Sequence, residues 1–325
     1  MKRYLIHRSL QLIPVVFLVS VFSYFIISLA PGDPVEMYIN DEMTEEQIQA
    51  IRVEMGLDKS VPEQYLAWLG KVAKGDFGNS YYTKHPVTEE IQGKLSNTIL
   101  LMGTAFVWSL LVAVPVGLIC GMKKDSLFDK AVGAYTHVAV SVPSFWLAIM
   151  LIYLMSLKLG LLPTSGMHTL NNDGLWDLIK HMIMPVVVLS FETIAVFIKY
   201  VRSNTISQME EDYVMTAESK GCSERRILFG HVMKNTLLPI ITLCGMRLSS
   251  LVVGSFITES VFGWPGLGRL GMDAINSRDY PLIMAYTMLS CVLLIIGNFV
   301  ADVLYAFADP RVKKSILSAV DKGER

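Results

Sequence analysis

Charge is what this sequence is short of. Asp, Glu, Lys and Arg make up 18% of its 325 residues, against about 25% in an ordinary soluble domain. The formal net charge is −1, so there is no basic excess of the kind that binds nucleic acid. The four cysteines, Cys120, Cys222, Cys244 and Cys291, form no CxxC pair, and are expected to be unpaired packing thiols. The six histidines, His7, His85, His137, His168, His181 and His231, include no pair at helical i, i+4 spacing and no Cys/His cluster. A metal site is therefore not expected. No GxxxxGK[ST] occurs; Gly70-Lys71 and Gly93-Lys94 are followed by valine and leucine. If ATP is used, another chain binds it. Nothing positive supports an enzyme, and there is no internal repeat or low-complexity tract.

What fills the space is apolar sequence. Hydrophobic residues make up 52% of the chain. A bilayer-spanning helix needs about 20 mostly apolar residues. Six runs qualify, beginning at Gln11, Ile99, Ala131, Met182, Leu237 and Leu282. Each is expected to form one span. Pro14, Pro115, Pro143, Pro185 and Pro239 lie inside them, which membrane helices tolerate when neighbours satisfy the freed carbonyls. The first run follows Lys2, Arg3 and Arg8 like a signal peptide. Its apolar region is too long for one, and Pro31 directly follows the small-residue "SLA", so a retained span is expected.

Lys and Arg collect on the cytoplasmic side of membrane proteins. Here they cluster in the N-terminal tail, at Lys123, Lys124 and Lys130, at Arg202, Lys220, Arg225, Arg226 and Lys234, and at Arg311, Lys313 and Lys314. Six spans put all four segments on one face, with both termini cytoplasmic. Residues 31–97 then form a small outside segment with helical signals. Thr44 and Gln47 make a capping box before "IQAIRVEMG", and Gly56 can end that helix. Pro62 suits the start of "PEQYLAWLGKVAKG", and Thr88 can cap "EEIQGKL".

The stretch "EDYVMTAESKGCSERRILFGHVMKNTLLP", residues 211–239, is polar between two apolar runs. It reads as two short helices meeting at Gly221, with Ser223 capping the second. Tyr213, Ala217 and Gly221 share a face at i, i+4, i+8. One reading is an amphipathic helix lying on lipid headgroups. A glycine hinge between capped helices suits a rigid knob that docks on a partner instead.

These residues resemble the coupling loop, or EAA motif, of permeases of binding-protein-dependent ABC importers, and most closely the dipeptide, oligopeptide and nickel branch. Tyr213, Val214, Thr216, Ala217, Lys220, Gly221, Ser223, Glu224, Arg225, Arg226, His231, Asn235, Leu238 and Pro239 match, while Glu218 and Cys222 depart. "LAPGDPV", "GLDKSVPEQYLAWLGKVAKGDFGNS", "SVPSFWLA", "ESVFGWPGLGRL", "RDYP" and "ADPRV" resemble the same branch in the same order. The resemblance implies an all-α integral membrane protein of the type I ABC permease fold, with six transmembrane helices and a small extracytoplasmic helical insertion. It divides the chain into a tail and first span (1–30), the insertion (31–97), a transmembrane core (98–308) with its coupling loop at about 203–236, and a cytoplasmic tail (309–325). It implies one half of a peptide pathway in a bacterial or archaeal cytoplasmic membrane. The expected partners are a second, non-identical permease, two ATPases that carry ATP and Mg, an extracellular or periplasmic binding protein, and membrane lipid. Coupling to the ATPase would fall on Tyr213, Thr216, Ala217, Glu218, Lys220, Gly221, Ser223 and Glu224. Nickel or metal-chelate import is the alternative within the branch. A stand-alone secondary carrier is the distant one, and it would not need the knob.

Two further sites are expected. The loop "ESVFGWPGLGRLGMDAINSRDYP" should face the binding protein, with Trp264 and Leu267 as apolar anchors beside Pro265; the alternative for Trp264 is an aromatic-belt anchor. Glu192 and Arg247 lie near the middle of the fourth and fifth spans. A charge there costs on the order of 3 kcal/mol, so it must pair or line a pathway. The family commonly carries a neutral residue where Arg247 stands. Either the two form an ion pair that pins the spans together, or at least one meets a charged peptide terminus, or they contact the second permease.

Overall fold

The computed structural model describes residues 2–30, 35 and 43–308. The expected tail at 309–325, with "DPRV", and most of the "PGDPV" stretch lie outside the described residues. The described chain is helical, without strands apart from two isolated bridges. Its helices are α1 (Lys2–Ser28), α2 (Glu45–Glu54), α3 (Val61–Val72), α4 (Val87–Met122), α5 (Leu127–Ser141), α6 (Ser144–Leu151), α7 (Leu175–Met209), α8 (Asp212–Ser219), α9 (Glu224–Ile227), α10 (Met233–Val253), α11 (Phe256–Val261), α12 (Leu267–Asn276) and α13 (Tyr280–Ala308). Wider π turns extend α6 over Ile152–Lys158 and join α9 to α10 over Leu228–Val232.

Among the described residues, three helical segments are long and apolar enough to cross a membrane: Val87–Met122, Leu175–Met209 and Tyr280–Val300. The run from Ala131 is not the straight span expected from its hydropathy. It breaks at Val142-Pro143, and the two arms are bent by 102°. Proline has no N–H to continue the helix and its ring forces the preceding residue into extended backbone; Val142 sits at φ −81°, ψ 121°. Counted as one, the bent pair is a fourth candidate span.

The two longest helices, α4 and α7, form the centre. They approach closely because small residues face large ones. A β-carbon on Gly117 would lie 2.6 Å from Val201 Cβ, and one on Gly121 would collide with the Thr205 side chain. Around this seam Ala113, Leu118, Ile194, Phe197, Ile198 and Val201 form the main buried cluster. At the same end a bidentate ion pair ties α5 to α7. Arg202 Nε and Nη2 donate to the Asp129 carboxylate at 2.5 and 2.7 Å, and Asp129 is buried.

The 43–86 segment packs beside α1 and α13. Its first helix has the expected capping box. Thr44 N–H donates to Gln47 Oε1 at 2.9 Å, and Gln47 N–H donates to Thr44 Oγ1 at 3.4 Å. Gly56, at φ 71°, ends it. Thr88 does not act as a cap: α4 already begins at Val87 after Pro86. Val87 is fully buried and its N–H donates to Gly78 O at 3.0 Å, so the helix starts earlier than a Thr88 cap would allow, with Pro86 in the cap position. "EEIQGKL" is therefore the top of α4 rather than a separate helix. On α3, Tyr65 reaches Ser20 of α1, with the two hydroxyls 2.9 Å apart. Asp279, just before α13, accepts N–H bonds from Tyr81 and Tyr82 at 3.1 and 3.3 Å and a hydroxyl bond from Ser80. Burial beside it pushes the Tyr81 phenol up to about 12.

Candidate functional site

Three places in the fold concentrate chemistry, and they sit along the length of α7. Past its C-terminal end is α8. The helix ends in a left-handed turn at Gly221, φ 73°. Gly221 N–H donates to Glu218 O at 2.8 Å and Cys222 N–H to Ala217 O at 3.1 Å, the pair of bonds that closes a Schellman cap. Val214 and Ala217 are buried against α7 residues and against Ile227, Leu228 and Val232. Thr216, Glu218, Lys220, Gly221, Ser223 and Glu224 are exposed, and Tyr213 is half-buried with its hydroxyl on Gln208 at 2.9 Å. The structure thus divides the expected coupling residues into a root and an outward face. Two exposed apolar side chains in this stretch went unnoticed in the sequence: Met215 and Phe229 are 63% and 57% exposed. Their signal was apolar residues inside an otherwise polar stretch. The second helix is also not a short separate element. It opens after Ser223, whose side chain makes no cap bond, and continues into α10.

At mid-length is a cavity of about 270 Å³. Its walls include Phe106 and Ser109 of α4, Ser144 at the α5–α6 bend, Glu192 and Thr193 of α7, and Arg247 of α10. Gly254, Ser255 and Thr258 close it at the α11 end. Glu192 and Arg247, expected to meet or to line a pathway, are both on its wall. The ion pairs within 4 Å among the described residues do not include one between them. A larger cavity, about 410 Å³, lies beside the 43–86 segment between α1, α3 and the start of α13. It is remote from the spanning charges, so the smaller one is the candidate pathway.

At the α7 start lies the loop from Gly254 to Asp279. Glu259 of α11 is fully buried. It accepts Thr98 Oγ1–H at 3.1 Å and Arg269 N–H at 3.1 Å. Thr98 Oγ1 in turn accepts Leu267 N–H at 2.7 Å. Burial holds the Glu259 carboxyl above the usual carboxylate range, against the pull of these donors. Asn97 completes the clasp, donating to Pro265 O at 2.9 Å and accepting Trp264 Nε1–H at 3.0 Å. The glycines are needed for this approach: a β-carbon on Gly266 would collide with Glu259 and Thr98, and one on Gly268 would lie 2.6 Å from the Ser255 carbonyl carbon. Trp264 and Leu267 were expected to face a partner. Both are fully buried within the chain, Trp264 against Leu101 and Met182. Any contact with a partner is therefore made by the loop they shape, not by these side chains. Pro265 is partly exposed.

Residues 113–314 match the family model described as the binding-protein-dependent transport system inner membrane component, and residues 1–102 match the N-terminal model of such membrane components. The chain belongs to this family of transport-system membrane subunits. Among its curated relatives, the oligopeptide transport system permease protein AppB of Bacillus subtilis is 38% identical, over 96% of this chain and 100% of that protein. The di/tripeptide permease protein DppB of Pseudomonas aeruginosa and the glutathione permease protein GsiC of Escherichia coli K12 are each 34% identical, over 96% of this chain and 99% of theirs. In fold, the chain is similar to an inward-facing structure of the MetNI methionine ABC transporter, with a TM-score of 0.55 at 14% identity, covering 68% of this chain and 96% of that one. The architecture is thus the all-helical type I ABC permease fold.

Proposed function

We propose that this chain is a permease subunit of a peptide-importing ABC transporter and forms half of its membrane pathway. The observation that carries the reading is the knob at α8–Gly221–α9. Its outward face is solvent-exposed, while its root is continuous with the packing of α7 and α10. Force on the outward face, from Thr216 to Glu224, moves α7 and α10, which also wall the central cavity. An ATPase subunit is the natural source of that force, since the sequence has no phosphate loop.

In this reading six spans cross the bacterial cytoplasmic membrane. They are α1, α4, the bent α5–α6 unit, α7, α10 and α13, with both termini and α8 in the cytoplasm. The loop at 254–279 and the 43–86 segment then lie outside, where a binding protein delivers cargo. A second, non-identical permease supplies the other wall. Peptide cargo follows from the relatives, which are named for oligopeptides, di/tripeptides and glutathione. Nothing observed favours nickel. Reconstitution of the chain with its second permease, ATPases and binding protein tests the reading. Vesicles should accumulate labelled peptide only with ATP inside the ATPase compartment; accumulation of nickel without peptide would contradict it.

A further inference from the structure

The clasp around Glu259 joins elements that meet again at the knob. At the clasp, α4, α10, α11 and α12 come together at one point. A β-carbon on Gly254, the residue that ends α10, would lie 2.7 Å from Glu259 Oε1 on α11, 3.0 Å from Gly268 N on α12 and 3.1 Å from the Thr98 methyl carbon on α4. At the knob, Ala113 and Leu118 of α4 share the main buried cluster with Val214 and Ala217 of α8 and with Ile240 of α10. Between the two ends runs α10 itself, 21 residues long, which is ~31 Å at 1.5 Å per residue.

The helix α12 is divided as α8 is. Leu267, Gly268, Gly271 and Ala274 are buried, while the side chains of Arg269 and Asp273 are 44% and 64% exposed. Its first turn is held by the Glu259 carboxyl, which accepts the Arg269 N–H that a helix start leaves without an internal acceptor. Thr98 Oγ1 donates to the same carboxyl and accepts the Leu267 N–H. Two side chains thus fix the outward face of α12 to α4 and to the end of α10. Burying a carboxyl is costly, and an apolar side chain would fill the same space without aligning any donor.

We infer that Thr98 and Glu259 are positioning residues for transport: they form the joint through which a binding protein docked on the loop at 254–279 acts on α4 and α10, and so on the knob and the ATPase. The inference rests on the proposed coupling through the knob and gives that coupling an input at the outer face. Such a joint transmits because it is stiff. Slackening it leaves docking and hydrolysis each possible but separates one from the other.

The test follows ATP hydrolysis by the complete reconstituted importer against the concentration of cargo-loaded binding protein. Each curve gives the maximal stimulation over hydrolysis without binding protein, and the concentration at half-stimulation. Thr98→Val keeps the shape of the side chain and removes the hydroxyl. It should lower the maximal stimulation by about fivefold, the equilibrium effect of one net hydrogen bond, with a smaller change in the half-stimulation concentration. Glu259→Ala should lower it further. Glu259→Gln, which still presents an acceptor to the Arg269 N–H, should restore most of it. A normal maximum reached only at higher concentration would show that these residues merely shape a docking face, and it overturns the inference. So does a wild-type curve in both Thr98→Val and Glu259→Ala. If the variants fail to assemble, hydrogen exchange in the wild-type assembly decides. Docking of cargo-loaded binding protein should alter exchange at residues 254–270 and again at 228–236; a change confined to the outer loop contradicts the joint. Wild-type hydrolysis that ignores the binding protein altogether contradicts both the joint and the coupling reading on which it rests.

Discussion

Glu259 shows how one side chain can set the form of a loop. It has no net exposure to water, and its oxygens take up a threonine hydroxyl and a backbone N–H at the start of α12. Glu259→Ala removes the acceptor and strands those donors, which costs on the order of 1–3 kcal/mol. Faster amide exchange across residues 266–270 would report it. The pH dependence has a definite sign. Because burial raises the carboxyl's folded pKa, its contribution is fully present below the ordinary carboxylate range and is lost as pH rises through the raised value. Exchange across the loop, corrected for intrinsic rates, should therefore increase with pH in the wild type. Glu259→Gln should flatten that dependence; an unchanged slope in the variant would rule the carboxyl out as its cause. None of this was legible in the sequence. Glu259 and Thr98 are 161 positions apart, and Asp279 and Ser80 are 199 apart. What was legible was local. The capping box at Thr44 and Gln47 needs only residues three apart, and Gly221 announces its own left-handed turn. The burial of Trp264 and Leu267 was missed for the same reason as Glu259, since aromatic and apolar type alone does not say which face of a loop is covered.

Among the elements, the α4–α7 pair governs the rest. Gly117 and Gly121 lie one turn apart on α4 and meet Val201 and Thr205 of α7 without room for a side chain. Small residues at such spacing let membrane helices approach closely, where packing replaces the hydrophobic effect as the source of association. Gly121→Val should force the helices apart and lower the yield of assembled complex in detergent, measured by size-exclusion chromatography; an unchanged yield and melting temperature would show that the seam tolerates separation. The Asp129–Arg202 pair guards the same end. Arg202→Met leaves a buried carboxylate without its cation, held only by donors such as the Asp125 N–H at 2.9 Å, and breaking such a pair costs about 3 kcal/mol. Asp129→Asn in the same background should recover part of the loss, because the stranded charge is then gone; a double variant no more stable than Arg202→Met would argue against pairing as the cause. The apolar runs foretold α4, α7 and α13 well, because length and hydropathy are local quantities. They did not foretell the 102° bend of the third run. Proline at 143 was visible, but whether neighbouring helices straighten or bend a proline-bearing segment is decided by tertiary packing.

At the scale of the molecule, the chain has a knob at one end of α7, a clasped loop at the other, and a cavity between them with opposed charges on its wall. On the proposed function these act as one mechanism: an ATPase would move the knob, and the knob would move the helices that wall the cavity. Gly221 is the position at which to interrupt it. Its φ of 73° is strained for any other residue, while a β-carbon there meets nothing within 4 Å. Gly221→Trp should therefore disturb the cap and the docking face without invading the packed root of α8. The measurement is the number of peptides imported per ATP hydrolysed by the complete reconstituted assembly, compared between the wild type and Gly221→Trp at equal amounts of assembled complex. A severe fall in that number is expected, with ATP hydrolysis that no longer responds to cargo-loaded binding protein. Import per ATP equal to the wild type's would contradict the claim that work enters the pathway through this knob.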